Sequence, residues 1–377
     1  MPQKIQNALL LTRCFVNFLF LGKANKQNKN PKNILIIPVG KLGDIVCTTP
    51  VFNAIRKHLP NTGIYMEDNT GKNKEILAYS GLSDGFLSLK SLREMKYGIK
   101  KYKIDTIVFT GPSFRELAYA YLSGVKTIIT PNVIGGFCPQ QTRSYHLLSK
   151  FMTTTEFRFG KYAPLERLKT LEPLGIIDND TKKHLGFSER ALEKINKSFI
   201  DNQIDIEKDF IVGISPSVGN EIKEWPVERF VEVANYVAQK YNAVIVIIGG
   251  PNDKKCSEEM KDSLNKDVRY IDTTEVSIDE MKALISKLNL FISVDTGPIY
   301  IAEAFNIPTV DILGPMDENE QPPRGRLNRV VKIDRKSAEL HIMNARMYDK
   351  IKAKRQTDGI TPRMVIDEID LLMEELL

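Results

Sequence analysis

No acidic residue precedes Asp44, although six basic residues (Lys4, Arg13, Lys23, Lys26, Lys29 and Lys32) fall within the first 32 positions. Cysteine is scarce: Cys14, Cys47, Cys138 and Cys256 lie far apart with no paired spacing. That excludes a disulfide framework and fits a reducing compartment. The four histidines are scattered too, so no zinc-ligand spacing is present and no metal is expected. The apolar stretch from Ala8 to Leu21 is shorter than the ~20 residues of a membrane-spanning helix. Neither a Walker loop nor a dinucleotide fingerprint occurs, which speaks against a nicotinamide-dependent dehydrogenase. The net charge of +6 is not a general basic bias. Without the six arm residues, 47 basic residues face 47 acidic ones, and a nucleic-acid surface is disfavoured.

A chain of 377 residues is too long for one ordinary core and predicts two domains. From Asn33 onward, short apolar runs alternate with amphipathic stretches. Strands are expected at 34–37, 63–66, 86–89, 106–109 and 127–129, with helices between them, as at 49–58 and 114–122. The alternation weakens over 153–209, and the interdomain region is placed at 170–208. A second series follows, with strands at 210–214, 243–248, 290–294 and 309–313 and helices at 226–241, 278–287 and 298–305. This order predicts an α/β protein of two Rossmann-like domains whose parallel sheets face across a cleft. A last helix is expected to start with Thr361 as N-cap and Pro362 at its first position, and to run to Leu377.

Residues 1–32 form a basic, amphipathic arm. On a helix, Gln6, Arg13 and Asn17 fall near one face and Ala8, Leu11, Phe15 and Leu19 on the other. Leu9 and Phe20 fall toward the polar side. Two readings stand. One is an in-plane helix on an anionic membrane surface, aided by lysines at about 1 kcal/mol each. The other is a helix packed on the body, followed by a solvated linker over 23–32. Leu21-Gly-Lys-Ala-Asn-Lys is a poor cleavage site for a signal peptide.

Three glycine-bearing turns carry the chemistry. In Pro38-Val-Gly-Lys-Leu-Gly-Asp44, Gly40 and Gly43 permit a tight approach and Asp44 stands at a helix mouth. Asp44 there is either an N-cap or a general base. In Gly213-Ile-Ser-Pro-Ser-Val-Gly-Asn-Glu-Ile-Lys-Glu-Trp-Pro226, the hydroxyls of Ser215 and Ser217 and the ammonium of Lys223 suit a diphosphate. Trp225 is expected to be structural. In Ser293-Val-Asp-Thr-Gly-Pro298, the amides of Thr296 and Gly297 suit phosphate, and Asp295 caps the helix or holds sugar hydroxyls. Gly249-Gly-Pro-Asn252 and Gly314-Pro-Met-Asp317 are expected on the same rim. Asp178-Asn-Asp180 resembles a metal-binding Asp-x-Asp pattern but lies in the weakly patterned region, and no metal role is assigned to it.

Together these elements resemble glycosyltransferase family nine, the lipopolysaccharide heptosyltransferases, over nearly the whole chain from Asn33. The resemblance rests on Val39-Gly-Lys-Leu-Gly-Asp-Ile-Val-Cys-Thr-Thr-Pro50, Lys223-Glu-Trp-Pro-Val-Glu-Arg-Phe230, Ile248-Gly-Gly-Pro251, Asp295-Thr-Gly-Pro-Ile-Tyr-Ile-Ala302 and Leu313-Gly-Pro-Met-Asp317. It implies a GT-B fold with an acceptor domain (33–190), a nucleotide-sugar domain (208–355) and a last helix (360–377) packed back on the first domain. It implies inverting, metal-independent transfer of heptose from an ADP-sugar, without a cofactor, to a lipid-linked lipopolysaccharide core at the cytoplasmic membrane face. By that likeness Asp44 is the base, and Ser217, Lys223 and the turn from Asp295 to Gly297 hold the donor. The alternatives are a family member using another nucleotide sugar and a degenerate GT-B protein that binds carbohydrate or a partner. Three features depart from the family. Tyr300 stands where histidine is usual, the cysteines some members carry are missing around His341–Asp349, and the basic arm is not a general feature.

Overall fold

The computed structural model describes residues 3–217, 219–250 and 253–376, which fall into two units. The first is the chain up to His184 with Ile342–Met347; the second is Leu185–His341 with the chain from Tyr348 onward. Pro251 and Asn252 of the expected fourth turn, Val218 of the second loop and the terminal Leu377 lie outside the described residues.

The first unit opens with α1 (Gln3–Leu21), β1 (Asn33–Ile37), α2 (Leu42–Val46), α3 (Thr49–His58) and β2 (Gly63–Glu67). It continues with α4 (Lys72–Leu77), β3 (Gly85–Leu87), α5 (Leu92–Tyr102), β4 (Thr106–Phe109) and α6 (Phe114–Leu122). It ends with β5 (Thr127–Ile134), α7 (Arg143–Ser149), β6 (Thr153–Arg158) and α8 (Ala163–Leu168). All pairings are parallel, in the order β3-β2-β1-β4-β5-β6. Ile34 to Ile37 of β1 are buried on both faces, as a central parallel strand covered by helices requires. β6 lies in the stretch where the sequence pattern weakens. Its Thr153-Thr-Thr-Glu-Phe-Arg158 alternates partly exposed and buried positions, the mark of an edge strand with one wet face.

The arm is built into this unit. Leu10, Leu11, Phe18 and Leu21 of α1 pack around buried Cys14, against a core containing Leu117, Tyr121 and Leu148. Phe18 stacks on Phe151 at 4.5 Å between ring centroids. At the end of α1, Gly22 takes the left-handed conformation (φ 64°), and the Tyr121 hydroxyl donates to its carbonyl at 2.8 Å. This terminus is the helix-closing use of glycine. The expected solvated linker is corrected. Ala24 bridges to Met152 and Asn25 to Thr127, the Asn28 amide donates to Thr106, and Gly63 N donates to Lys32 O. Residues 24–32 therefore run as a strap along the rim where β5, β4 and β2 begin. Their backbone groups meet partners that a mobile linker would leave to water. No described helix is long and apolar enough to cross a membrane.

The second unit begins with α9 (Glu189–Asp201), β7 (Phe210–Ser215), α10 (Val227–Tyr241), β8 (Ala243–Ile247) and α11 (Lys254–Ser263). β9 (Tyr270–Asp272), α12 (Ile278–Ile285), β10 (Leu290–Val294), α13 (Gly297–Ala304), β11 (Thr309–Ile312) and β12 (Asn328–Val331) follow. α14 (Lys350–Asp358) and α15 (Pro362–Leu376) complete it. Its parallel sheet runs β12-β11-β10-β7-β8-β9, the same topology read from the other edge. The expected interdomain stretch is not all linker. α9 sits against α12, with Ser188 Oγ donating to Asp279 at 2.7 Å and Lys194 paired with Glu280.

The last helix corrects a second expectation. Val365, Ile366, Ile369, Leu372 and Met373 of α15 enter the core formed by Phe230, Val310, Ile312 and Val331. Its apolar face is thus spent on the second unit's own sheet, not on the first domain. Trp225 is fully buried in that core, edge-on to Phe230, and its Nε1 donates to Ile360 O at 2.9 Å. It is structural, as expected.

Candidate functional site

Both sheets have the 3-2-1-4-5-6 strand order of dinucleotide-binding folds. In such sheets, ligands bind beyond the strand carboxyl ends where the order reverses. The reversal lies between β1 and β4 in the first unit and between β7 and β10 in the second. The residues that the sequence singled out as a site gather at the carboxyl ends of three of these strands: Gly40, Gly43 and Asp44 after β1, Ser215 and Ser217 at the end of β7 with Lys223 beyond them, and Asp295, Thr296 and Gly297 after β10.

In the first unit, Asp44 lies in the first turn of α2. Its Oδ2 accepts from Lys41 N at 3.0 Å and its Oδ1 from Arg167 Nη2 at 2.9 Å. Asp44 is therefore not the N-cap, which is Lys41; it closes the helix start from the third position and is also ion-paired. Gly40 has φ 129°, and a Cβ there would overlap the Asp44 carboxylate, so the turn requires glycine. Gly43 is buried in α2. The Arg167 side chain is 1 % exposed against 22 % for Asp44, and no partner is recorded for its Nε and Nη1. A guanidinium so enclosed fixes the orientation of the carboxylate it meets among the described residues. The sequence reading missed Arg167, which reaches Asp44 from 123 positions away.

The same switch point holds a cavity of about 710 Å³ lined by Pro38, Val39, Glu67, Ser113, Gln140 and Arg346, among others. Glu67, at the end of β2, accepts from Asn69 N and Asn73 Nδ2. Burial pushes its carboxyl up to about 7, with Asp68 and Glu116 adding to the rise and its bond from Asn69 N opposing it. Near neutrality it is both donor and acceptor, which suits sugar hydroxyls. Asp178 makes no such site. Its Oδ2 meets Lys57 Nζ at 3.0 Å and His58 Nε2 at 2.8 Å, at the carboxyl end of α3, where cations are favourable.

In the second unit, Ser215 ends β7 fully buried and Ser217 is half-buried in the following loop. Lys223 Nζ lies 2.9 Å from Asp295 Oδ2 and also donates to the Asp295 carbonyl. The Tyr300 hydroxyl donates to Asp295 Oδ1. Lys223, Asp295 and Tyr300 thus form one buried triad, with Lys223 aimed at Asp295. Thr296 is the N-cap of α13, with Gly297 opening the helix and Pro298 behind it. These first amides are positioned to meet an anion. Beneath the triad lies a residue the sequence reading missed. Asp311 pairs in register with Ser293, is completely buried, and neither of its oxygens has a recorded partner. Burial, reinforced by the charge of Asp295, raises its carboxyl well above the usual range.

One group of potential metal ligands converges among the described residues: Asp317, Glu320 and His341. His341 Nδ1 stands 3.3 Å from Asp317 and 3.4 Å from Glu320. Burial opposes its charge, but bonds to the two carboxylates outweigh that and raise it to about 9. In this arrangement the three side chains form an ion-paired staple. A raised histidine pKa stabilises the fold fully below its unfolded value near 6.5, and that contribution is lost as pH rises through 9. Stability measured by urea unfolding should fall by about 1–2 kcal/mol between pH 7 and pH 10. That fall should shrink in His341→Gln. An equal slope in both proteins would dismiss the staple.

The family described as glycosyltransferase family 9 (heptosyltransferase) matches residues 167–348. Lipopolysaccharide heptosyltransferase 3 of Escherichia coli K12 is 24 % identical over 299 residues, covering 73 % of this chain and 80 % of that protein. Lipooligosaccharide heptosyltransferase 2 of Haemophilus influenzae is 21 % identical over 364 residues, 90 % of this chain and 99 % of that protein. Among solved structures, a family 9 glycosyl transferase from Veillonella parvula superposes with a TM-score of 0.75 at 20 % identity, covering 91 % of this chain and 98 % of that one. E. coli ADP-heptose heptosyltransferase II gives 0.69 at 16 % identity, covering 92 % and 100 %. With two parallel Rossmann-like units of GT-B type, the chain is similar to glycosyltransferase family 9 over residues 167–348 and reads as a heptosyltransferase-like glycosyltransferase.

Proposed function

We propose that the protein transfers heptose, with inversion and without a metal ion or other cofactor, from ADP-heptose to a lipid-linked lipopolysaccharide core saccharide. The acceptor occupies the first unit's cavity at the inner face of the cytoplasmic membrane. The nucleotide sugar lies on the second unit, against Ser215, Ser217, Lys223 and the turn from Asp295 to Gly297. Asp44 takes the proton of the acceptor hydroxyl, whose oxygen attacks the anomeric carbon. The bond to the diphosphate breaks, and its electron pair leaves with ADP. Attack from the side opposite the leaving group inverts the centre. The α13 amides and the Lys223 ammonium supply fixed positive charge to the leaving diphosphate. The observation that carries this reading is a carboxylate held by a buried arginine at the first switch point.

A panel of nucleotide sugars tests the donor. ADP-heptose at a hundredfold excess over its dissociation constant should stabilise the protein by about 2.7 kcal/mol. Stabilisation by UDP- or GDP-sugars alone would overturn the donor assignment, and loss of transfer in EDTA would overturn metal independence.

A further inference from the structure

We propose that α1 is an in-plane anchor: its inward face stays on the first unit while its outward face enters an anionic bilayer surface. Going round the helix, the packed residues Leu10, Cys14, Phe18 and Leu21 lie opposite a second apolar set. Ile5, Leu9, Val16, Leu19 and Phe20 are 49, 57, 57, 83 and 83 % exposed. Single exposed apolar residues are ordinary, but a contiguous strip of them marks an interaction surface. Thr12, on the same strip, donates its hydroxyl to Ala8 O at 3.0 Å, so its polar atom is satisfied inside the helix.

Charge selects the occupant. Lys4 and Arg13 on the helix and Lys23, Lys26, Lys29 and Lys32 after it are all exposed, and the first acid in the chain is Asp44. A second copy seated on this strip would bring the same unopposed cations against these. An anionic lipid surface complements them and accepts the strip between its acyl chains. The strap pins the arm to the sheet rim, so the helix is presented as a fixed surface. Gln6 and Asn7, in the first turns of α1, line the cavity assigned above to the acceptor. The anchor therefore places that cavity beside the lipid interface. This last step rests on the proposed acceptor; the anchoring itself does not.

The test uses the full chain with vesicles rich in phosphatidylglycerol, and a variant carrying Leu9→Ser, Val16→Ser and Phe20→Ser. Flotation should show at least ~10-fold weaker binding by the variant, at an unchanged melting temperature because these side chains already face solvent. Binding of the wild type should weaken in phosphatidylcholine vesicles and at high salt. Three results would overturn the proposal: equal flotation of variant and wild type, no flotation of the wild type, or a dimer lost in the variant with vesicle binding unchanged. Transfer to a deacylated, water-soluble acceptor separates this proposal from the functional one. Equal rates for variant and wild type, with flotation lost in the variant, support the anchor. No transfer by either protein, with flotation still lost only in the variant, overturns the acceptor reading and leaves the anchor standing.

Discussion

Asp44→Asn should lower kcat by about 10²–10⁴-fold, the usual contribution of a positioned general base, while ADP-sugar affinity changes little. The substitution has a second effect, which the ion pair to Arg167 makes predictable. Arg167 is 1 % exposed, and Asp44 is the one carboxylate recorded against it. Removing one partner of such a buried pair costs roughly 3–5 kcal/mol. Lost turnover in the single variant could therefore be lost fold. Adding Arg167→Met removes the stranded charge and should return much of the stability. Turnover should stay at the Asp44→Asn level, because methionine restores packing but not a proton acceptor. Recovery of turnover in the double variant would mean that Asp44 serves only to neutralise Arg167. Glu67→Gln is the companion measurement, because burial pushes the Glu67 carboxyl at this same switch point up to about 7, a value suited to proton transfer. Abolished transfer in Glu67→Gln, with near-normal transfer in Asp44→Asn, would move the base role to Glu67.

Lys223→Met should weaken ADP binding by about 10–100-fold, the worth of a hydrogen bond from a charged donor. It should also destabilise the fold by roughly 3–5 kcal/mol, because the Asp295 side chain is only 4 % exposed and would lose its cation. The triad explains why the loss does not stop at one residue. Lys223 and Tyr300 both donate to Asp295. Asp295 in turn adds to the rise of the buried Asp311 carboxyl beneath it. In the double variant Lys223→Met with Asp295→Asn, the buried charge disappears and the fold should recover. Calorimetry with ADP then isolates the phosphate contact. Wild-type affinity in the double variant would reduce Lys223 to a structural partner of Asp295. Tyr300→Phe removes one donor and should cost about 1 kcal/mol of stability. Tyrosine at this position thus has a defined task.

The sequence pattern carried the order of elements because both sheets are parallel and buried on both faces. Runs such as Asn33-Ile-Leu-Ile-Ile37 and Leu290-Phe-Ile-Ser-Val294 are read directly. The two turns after β7 and β10 were legible because glycine, proline and hydroxyl residues there have local backbone reasons. Edge strands were harder. β9 and β12 are short and partly exposed, so they carry neither a long apolar run nor a clean alternation. The partners Arg167, Tyr300 and Asp311 were not assigned from sequence, since their roles come from tertiary convergence. A lone aspartate inside the apolar run Thr309-Val-Asp-Ile312 was the available signal for Asp311. The arm shows a different limit. Helical periodicity separated polar from apolar positions, but α1 has two apolar faces, one for the body and one outward. A single polar–apolar division cannot represent that.

The arm also bears on the order of events during synthesis. α1 leaves the ribosome well before its seat: the carbonyl that receives its Cys14 thiol, that of Ala118, lies 104 positions later. At about 5–20 residues per second, the helix spends roughly 5–20 s with both apolar faces unburied before its seat exists. If α1 is the proposed anchor, both of its faces are open to a bilayer during that interval, and folding then withdraws one of them while leaving the other in place.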